Sequence, residues 1–209
     1  MPYEVSIELL DTAEIKNKIQ SILPLLCEED IRRAERYVKE NDRLLSLGGA
    51  YLVRRLTGRN AMIKRDRFGK PRTENMSYSL SHSSDTVGIA YIIKTDPHEK
   101  LPEIGLDIEK NNWNAENDFE DIRDVCLTQE EKASGEEFLT LYTAKESLGK
   151  ARGDGIRDGV IQIPALPGEG PVTYKGETYY RVRADSGELK ICVCVKGEEF
   201  TILKRTEIK

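Results

Sequence analysis

The sequence has little of several residue types that mark particular classes of protein. Among its 209 residues are two histidines, one tryptophan and four cysteines. The cysteines form no C-x-x-C pair, so the usual spacing of a zinc site is absent. Cys192 and Cys194 alternate with apolar residues, which is typical of a buried strand. We therefore expect a reduced, cytoplasmic protein.

Long hydrophobic runs and an excess of positive charge are also missing. Charged residues make up 33% of the chain, and no apolar run approaches the roughly 20 residues of a membrane-spanning helix. The first residues lack the basic and apolar regions of a signal peptide. The formal net charge is −5, whereas a nucleic-acid-binding protein normally has a basic face. We expect a protein that binds neither membranes nor nucleic acid.

The stretch from Gly105 to Lys110 alternates apolar and acidic residues. Successive side chains of a strand point to opposite faces, so Leu106 and Ile108 are predicted to be buried. Asp107 and Glu109 then lie side by side on the other face. Such a pair is often only a solvated face of a sheet. Two adjacent carboxylates also suit magnesium, which takes few carboxylates and leaves room for substrate phosphates.

A second candidate group of charged residues lies on a helix predicted at about residues 136–151. Its apolar residues recur at helical spacing. Glu146 and Lys150 are four residues apart and therefore share one face of the helix. They form either an exposed ion pair or a third carboxylate for the metal with an ammonium one turn further on.

Four segments in this order resemble a known family. They are Phe68-Gly69-Lys70-Pro71, Ser79-Leu80-Ser81-His82-Ser83, Gly105-Leu106-Asp107-Ile108-Glu109, and the helical stretch from Tyr142 through Lys145-Glu146-Ser147 to Lys150. Together they resemble the 4′-phosphopantetheinyl transferases of the surfactin-synthetase-activating (Sfp) type. The sequence departs from that family at Tyr142, where the family usually has tryptophan.

The resemblance implies an α+β fold with two similar halves related by a pseudo-twofold axis. Each half would pack helices on an antiparallel sheet. The predicted halves are residues 1–100, which hold the nucleotide end of coenzyme A, and residues 101–209, which hold magnesium and the catalytic residues. The expected protein is a monomer whose cleft binds coenzyme A.

The resemblance also implies the reaction and the residues that perform it. The phosphopantetheine arm of coenzyme A would be transferred to a serine of an apo acyl or peptidyl carrier protein, with magnesium as cofactor and 3′,5′-ADP as leaving group. The nucleotide ligands would be Arg43, Lys70, Pro71, Ser81 and His82. The magnesium ligands would be Asp107, Glu109 and Glu146. Glu146 would act as the base, directly or through a metal-bound water, and Lys150 would stabilise the leaving oxygen.

Other interpretations of these residues stay open from the sequence. One alternative hypothesis is a non-catalytic module that binds coenzyme A or a nucleotide. Another is a small interaction domain in which these charged residues all lie on the surface. Glu131 matches a functional glutamate of the family or simply closes a capping box. An acidic carrier requires a local basic patch, for which the available residues are Lys145, Lys150, Arg152 and Arg157.

Patterns elsewhere predict the remaining elements. Single helices are expected over residues 12–22, 28–39 and from 41 or 42 to 56. Met76 to Leu80 is predicted as a strand, Ser81 to Asp85 as a turn and Val87 to Ile93 as the returning strand. Residues 95–103 connect the halves, a helix follows at 117–126, and strands follow at 179–184, 189–195 and 200–204.

Overall fold

Helices and strands alternate in blocks in the computed structural model, which describes residues 2–111, 119–157, 159–197 and 199–208. The first block contains β1 (Tyr3–Asp11), α1 (Thr12–Asn17), α2 (Ile19–Ile22), α3 (Glu28–Ala34), α4 (Glu40–Thr57), β2 (Lys64–Arg65), β3 (Pro71–Arg72), β4 (Met76–Ser83) and β5 (Thr86–Ile93). The second contains β6 (Ile104–Lys110), α5 (Phe119–Cys126), α6 (Gln129–Ala133), α7 (Phe138–Arg152), β7 (Gly170–Tyr174), β8 (Glu177–Arg183), β9 (Leu189–Lys196) and β10 (Phe200–Glu207). Short 3₁₀ turns lie at Leu23–Leu25 and Val160–Gln162.

Two four-stranded sheets form the framework. The first has the strand order β10-β1-β5-β4 and the second the order β6-β9-β8-β7. The pairs β1–β5, β4–β5, β6–β9, β8–β9 and β7–β8 are antiparallel. The predicted α+β class is confirmed. In each half the first strand pairs with a later strand, which in turn pairs with the strand just before it in sequence, giving the orders β1-β5-β4 and β6-β9-β8. The pseudo-twofold axis itself stays a prediction.

The last strand returns to the first sheet. β10 pairs with β1 in parallel, from Tyr3 opposite Phe200 to Leu9 opposite Glu207. Residues 200–207 therefore belong to the sheet of the N-terminal half, although the division at residue 100 would have placed them with the second. This strand ties the two ends of the chain together.

A hydrophobic core between the two sheets holds them face to face. It contains Ile7 and Ala90 from the first sheet and Leu106, Ile108 and Val193 from the second, all fully buried. Burying a valine, leucine or isoleucine side chain stabilises the fold by about 1.5–3 kcal/mol. Leu106 and Ile108 thus fix which face of β6 points away from the core.

Two helices of the first half are shorter than the sequence pattern predicts, and the third, α4, is slightly longer. The expected helix over 12–22 is interrupted at Lys18, whose φ and ψ of −103° and 11° are not helical. The helix expected over 28–39 ends at Ala34. α4 spans Glu40–Thr57 with Gly58 as its C-cap, so it ends one residue beyond the predicted residue 56. None of the described helices is both long and apolar enough to cross a membrane.

The expected turn at residues 81–85 is wrong in extent. β4 continues to Ser83, because Ser81, His82 and Ser83 pair with Gly88, Val87 and Thr86 of β5. The turn is reduced to Ser84 and Asp85, and Ser84 has a positive φ of 53°. Since side chains alternate along a strand, Ser81 and Ser83 point to one face and His82 to the other.

Candidate active site

The predicted acidic strand lies where the two sheets meet under a helix. β6 is an edge strand of the second sheet, β4 is an edge strand of the first, and α7 packs across β6. Gly105 faces the backbone of α7 so closely that a Cβ atom would contact the carbonyl oxygen of Ser147. Asp107 and Glu109 follow Gly105 on the same face of β6. The prediction that they stand on the face opposite Leu106 and Ile108 is confirmed.

Two serines of β4 hold the two carboxylates of β6. Ser81 Oγ donates to Oδ1 of Asp107 (3.0 Å) and accepts from the amide of Ile108 (3.3 Å). Ser83 Oγ donates to Oε2 of Glu109 (2.9 Å) and accepts from the amide of Lys110 (3.0 Å). The same arrangement is therefore repeated two residues along. It fixes the register of the two edge strands and the direction of each carboxylate.

Lys150 completes the cluster from the last turn of α7. Its ammonium lies 2.6 Å from Oδ1 of Asp107 and 2.9 Å from Ser81 Oγ. The Asp107 side chain is 5% exposed and the Lys150 side chain 29% exposed. Lys150 therefore neutralises a buried carboxylate while its ammonium stays accessible from solvent.

Glu146 approaches the same carboxylates from one turn earlier in α7. The phenol of Tyr142 donates to Glu146 Oε1 at 3.1 Å. Burial, together with the charge of Asp107, raises the pKa of Glu146. Burial and the neighbouring Glu146 charge also raise the pKa of Tyr142, so the phenol keeps its proton as a donor. The phenol of Tyr142 thus orients the glutamate.

Glu109 has the most strongly perturbed carboxyl of the cluster. Burial and the charge of Asp107 raise its pKa from 4.5 to about 7, against the opposing hydrogen bond from Ser83. A raised pKa in the folded state means that its contribution to stability is present below pH 4.5 and is lost as the pH rises through about 7. The ionised site therefore opposes folding unless a cation compensates it.

Glu109→Gln is expected to raise the melting temperature of the metal-free protein at pH 8 by about 2–4 °C, about 1 kcal/mol for a chain of this size. The gain should shrink towards pH 5, where the parent carboxyl is protonated. Thermal denaturation in a chelator between pH 5 and 8 measures it. Glu4→Gln, an exposed position on β1, is the matched control. If the variant melted below the parent at pH 8, the ionised Glu109 carboxylate would not be destabilising the folded protein.

The oxygen atoms of the cluster suit a hard divalent cation in their chemistry, although the described carboxylates do not converge on one point. Oδ2 of Asp107 is buried and has no hydrogen-bond partner among the described residues. The carboxylate and hydroxyl oxygens of the cluster are ligands that magnesium prefers, and the Lys150 ammonium contacts the other oxygen of Asp107, Oδ1. No three His, Cys, Asp or Glu side chains in the described parts of the chain lie close enough together to hold one metal ion. Ser83 and Tyr142 hold Glu109 and Glu146 separately, so the shared magnesium site stays a prediction.

A pocket of about 390 Å³ opens beside the carboxylate cluster, between α4 and β4. Its wall includes Pro71, Ser81 and His82, three of the residues predicted to bind the nucleotide. Arg33 and Arg65 line it as well. Ser81 belongs to both places, because its hydroxyl contacts Asp107. Burial and the Lys150 charge lower the pKa of His82, so its imidazole is neutral at pH 7.

Two of the predicted nucleotide ligands are placed differently. Arg43 is exposed on α4 and donates to the carbonyl of Tyr37 at 3.4 Å, and it does not contribute to the wall of this pocket. The ammonium of Lys70 points away from the pocket, into the junction of β6 and α7. Both assignments as nucleotide ligands stay predictions, with no support from the side-chain positions.

The expected basic patch for an acidic partner is wrong at Lys145. Its side chain is fully buried and pairs with Glu131 at 2.8 Å, because position 145 lies on the inner face of α7. Glu131 also closes the capping box with Thr128 and accepts from the amide of Ala165. Its structural interpretation is therefore supported. Arg152 pairs with Asp154, and the Arg157 guanidinium lies 4.7 Å from the ring centre of Phe68.

Several residues of the site were not identified from the sequence. In the sequence Ser83 and Tyr142 are only parts of longer motifs, and Arg33 lies within the predicted helix over residues 28–39 without a distinguishing pattern. Arg65 belongs to the two-residue strand β2, which no periodicity in the sequence indicates. The alternation in β4 was the available signal for Ser83, since it places Ser81 and Ser83 two residues apart on one face.

Comparison with known proteins identifies the segment that carries this cluster. Residues 103–194 match the family model of the 4′-phosphopantetheinyl transferase superfamily. This segment contains Asp107, Glu109, Glu146 and Lys150 and covers less than half of the chain. No curated protein sequence matches the chain.

Solved structures also resemble the chain. One is a holo-(acyl-carrier-protein) synthase from Bacillus anthracis str. Ames in complex with CoA (3′,5′-ADP). The two chains are 19% identical with a TM-score of 0.35, and the match covers 46% of this chain and 99% of that chain.

Proposed function

We propose that this protein is a 4′-phosphopantetheinyl transferase of the surfactin-synthetase-activating type. It transfers the phosphopantetheine arm of coenzyme A to a serine of an apo acyl or peptidyl carrier protein and releases 3′,5′-ADP. The observation that carries the proposal is the cluster of Asp107, Glu109, Glu146 and Lys150. The superfamily match covers all four, and a pocket with two arginines and a histidine lies beside them.

Magnesium is the cofactor in this proposal. Asp107, Glu109 and Glu146 would hold it, and the unpartnered Oδ2 of Asp107 supports that assignment. When bound, it would neutralise negative charge on the pyrophosphate of coenzyme A. Burial and, after it, the charge of Asp107 raise the pKa values of Glu109 and Glu146, and such a cation would relieve the repulsion between these carboxylates.

In this proposal Glu146 and Lys150 have separate roles in the reaction. The carrier serine hydroxyl attacks the phosphorus that bears the pantetheine arm, and its proton passes to the Glu146 carboxylate. The raised pKa of Glu146 makes it a better base than an exposed glutamate. The bond between this phosphorus and the bridging oxygen breaks, and 3′,5′-ADP leaves with the electron pair. The Lys150 ammonium stabilises the charge that develops there.

The nucleotide end would occupy the pocket between α4 and β4. Arg33 and Arg65 give it positive charge, and the neutral imidazole of His82 adds a hydrogen-bond donor for a phosphate. Tyr37 and Pro71 add apolar surface for a base. This separates the binding residues of the first half from the reacting residues of the second.

Mass spectrometry of carrier proteins tests the proposal. A panel of purified apo acyl and apo peptidyl carriers is incubated with the protein, coenzyme A and magnesium. One carrier at least should gain a single phosphopantetheine on its serine, and the reaction should stop with a chelator or with a carrier serine-to-alanine variant. Binding of coenzyme A by calorimetry without transfer to any carrier would favour the non-catalytic binding module.

His82→Ala is expected to raise the KM for coenzyme A about tenfold and to leave kcat within about threefold. Loss of one hydrogen bond to a charged group costs about 1.5 kcal/mol, and the 3′-phosphate is remote from the reacting bond. Dephospho-coenzyme A lacks that phosphate, so the variant should discriminate against it much less than the parent does. His98→Ala, the other histidine and exposed, is the matched control. Equal discrimination by parent and variant would remove His82 from the phosphate site.

A further inference from the structure

The ammonium of Lys70 joins three separate segments of the chain. It lies 2.9 Å from Glu103 Oε2 and from the carbonyl oxygen of Ile104, at the start of β6. It also lies 2.8 Å from the carbonyl oxygen of Lys150 and 3.4 Å from that of Ala151, at the end of α7. The Lys70 side chain is 11% exposed. Lys70 itself belongs to the loop between β2 and β3.

These contacts lie directly behind the carboxylate cluster. Ile104 begins the strand that carries Asp107, and Lys150 supplies the ammonium that pairs with Asp107. A cation at the last carbonyls of a helix also interacts favourably with the helix dipole. We propose that Lys70 is a positioning residue, which locks the end of α7 to the start of β6 and so sets the distance between Lys150 and Asp107. This inference rests on the proposed transferase function.

The loop that carries Lys70 is itself fixed. Oδ1 of Asp66 accepts from the amides of Phe68 and Lys70 at 2.9 and 3.0 Å. Arg72 pairs with both Asp66 and Glu103. On the other side of the same loop, Pro71 lines the nucleotide pocket. Lys70 therefore connects the wall of that pocket to the reacting residues through a chain of direct contacts.

The alternative is that the Lys70 side chain binds coenzyme A directly, as the resemblance suggested. The two roles differ in their kinetics. A direct ligand lost from the nucleotide end weakens binding and raises KM. A positioning residue lost from behind Lys150 misplaces a group that acts in the transition state and lowers kcat, because displacement of a catalytic group by about 1 Å costs up to 10²-fold.

The test compares Lys70→Met, which keeps the length of the side chain without its charge, with Lys70→Arg and with Lys100→Met at an exposed lysine of the connecting segment. For Lys70→Met we expect kcat to fall about tenfold with the Kd for coenzyme A changed less than threefold. Lys70→Arg should recover part of kcat, and Lys100→Met should match the parent. A rise of KM and Kd with unchanged kcat would overturn the proposal in favour of a direct ligand.

Hydrogen exchange provides a measurement that does not depend on activity. The amides of Gly153 and Gly155 both donate to the carbonyl of Gly149 at the end of α7. They should exchange faster in Lys70→Met than in Lys100→Met at a temperature where both proteins are folded. Unchanged exchange would overturn the positioning role even if kcat fell. If the parent lacked transferase activity while exchange changed as expected, only the proposed function would fail.

Discussion

Gly105→Ala is expected to prevent stable folding or to lower the free energy of unfolding by about 3 kcal/mol or more. A Cβ atom at this position would lie 1.9 Å from the carbonyl oxygen of Ser147 and 2.4 Å from the amide nitrogen of Ala151. Both are backbone atoms of α7, so no side-chain rotation relieves the clash. The helix would have to move away from β6, and Lys150 would move with it.

Gly49→Ala is the matched control for this substitution. Its Cβ atom would lie 3.6 Å from Val87 and 3.7 Å from Leu80, which is ordinary contact, and alanine is favoured over glycine in a helix by up to about 1 kcal/mol. We expect Gly49→Ala to melt at or above the parental temperature. Circular dichroism and thermal melting of both variants measure the difference. A Gly105→Ala protein with the parental melting temperature would contradict the close packing of α7 on β6.

The face of β6 was predictable because a single physical rule determined it. Leu106 and Ile108 are apolar and alternate with acidic residues, so burial of one pair places the other on the opposite side. The extent of the turn after β4 was predicted wrongly because the prediction relied on local composition. Ser81 to Asp85 has the composition of a turn, but pairing with β5 extends the strand to Ser83. Local composition did not show how close to the turn the pairing of this hairpin continues.

The partners of the long cationic side chains were less accessible to prediction. The sequence places Lys70 in a loop and Lys145 on a helix, and neither pattern states which oxygens an ammonium will reach. Lys70 contacts carbonyl oxygens 34 and 80 residues away. The parallel pairing of β10 with β1 joins opposite ends of the chain in the same way. Such contacts depend on the assembled fold.

The partner of Lys150 illustrates the consequence for catalysis. Helical spacing pointed to Glu146, four residues earlier, whereas the ammonium contacts Asp107 and Ser81. Glu146 is held by Tyr142 instead. The pair to be tested as one unit is therefore Lys150 with Asp107.

Lys150→Ala is expected to lower kcat about 10²-fold while the KM for coenzyme A changes less than about threefold. The charge that Lys150 stabilises grows as the leaving group departs, so its interaction is stronger in the transition state than in the bound substrate. Asp107→Asn should cost at least as much, because it removes a predicted metal ligand as well as the partner of Lys150. Steady-state kinetics at saturating carrier protein measure both variants.

The double variant separates a shared role from two independent ones. If Lys150 and Asp107 act as one unit, Lys150→Ala with Asp107→Asn should be little slower than Asp107→Asn alone, since residues that act together are not additive. The hypothesis that this ion pair only stabilises the fold predicts a different result. In that case Lys150→Ala leaves a buried carboxylate without its cation, which lowers the melting temperature and leaves kcat at the parental value for the folded fraction. Full kcat in Lys150→Ala would contradict the shared role, and so would losses of kcat that simply multiply in the double variant. In the first case the 2.6 Å contact between Lys150 and Asp107 would be a structural ion pair beside a site that works without it.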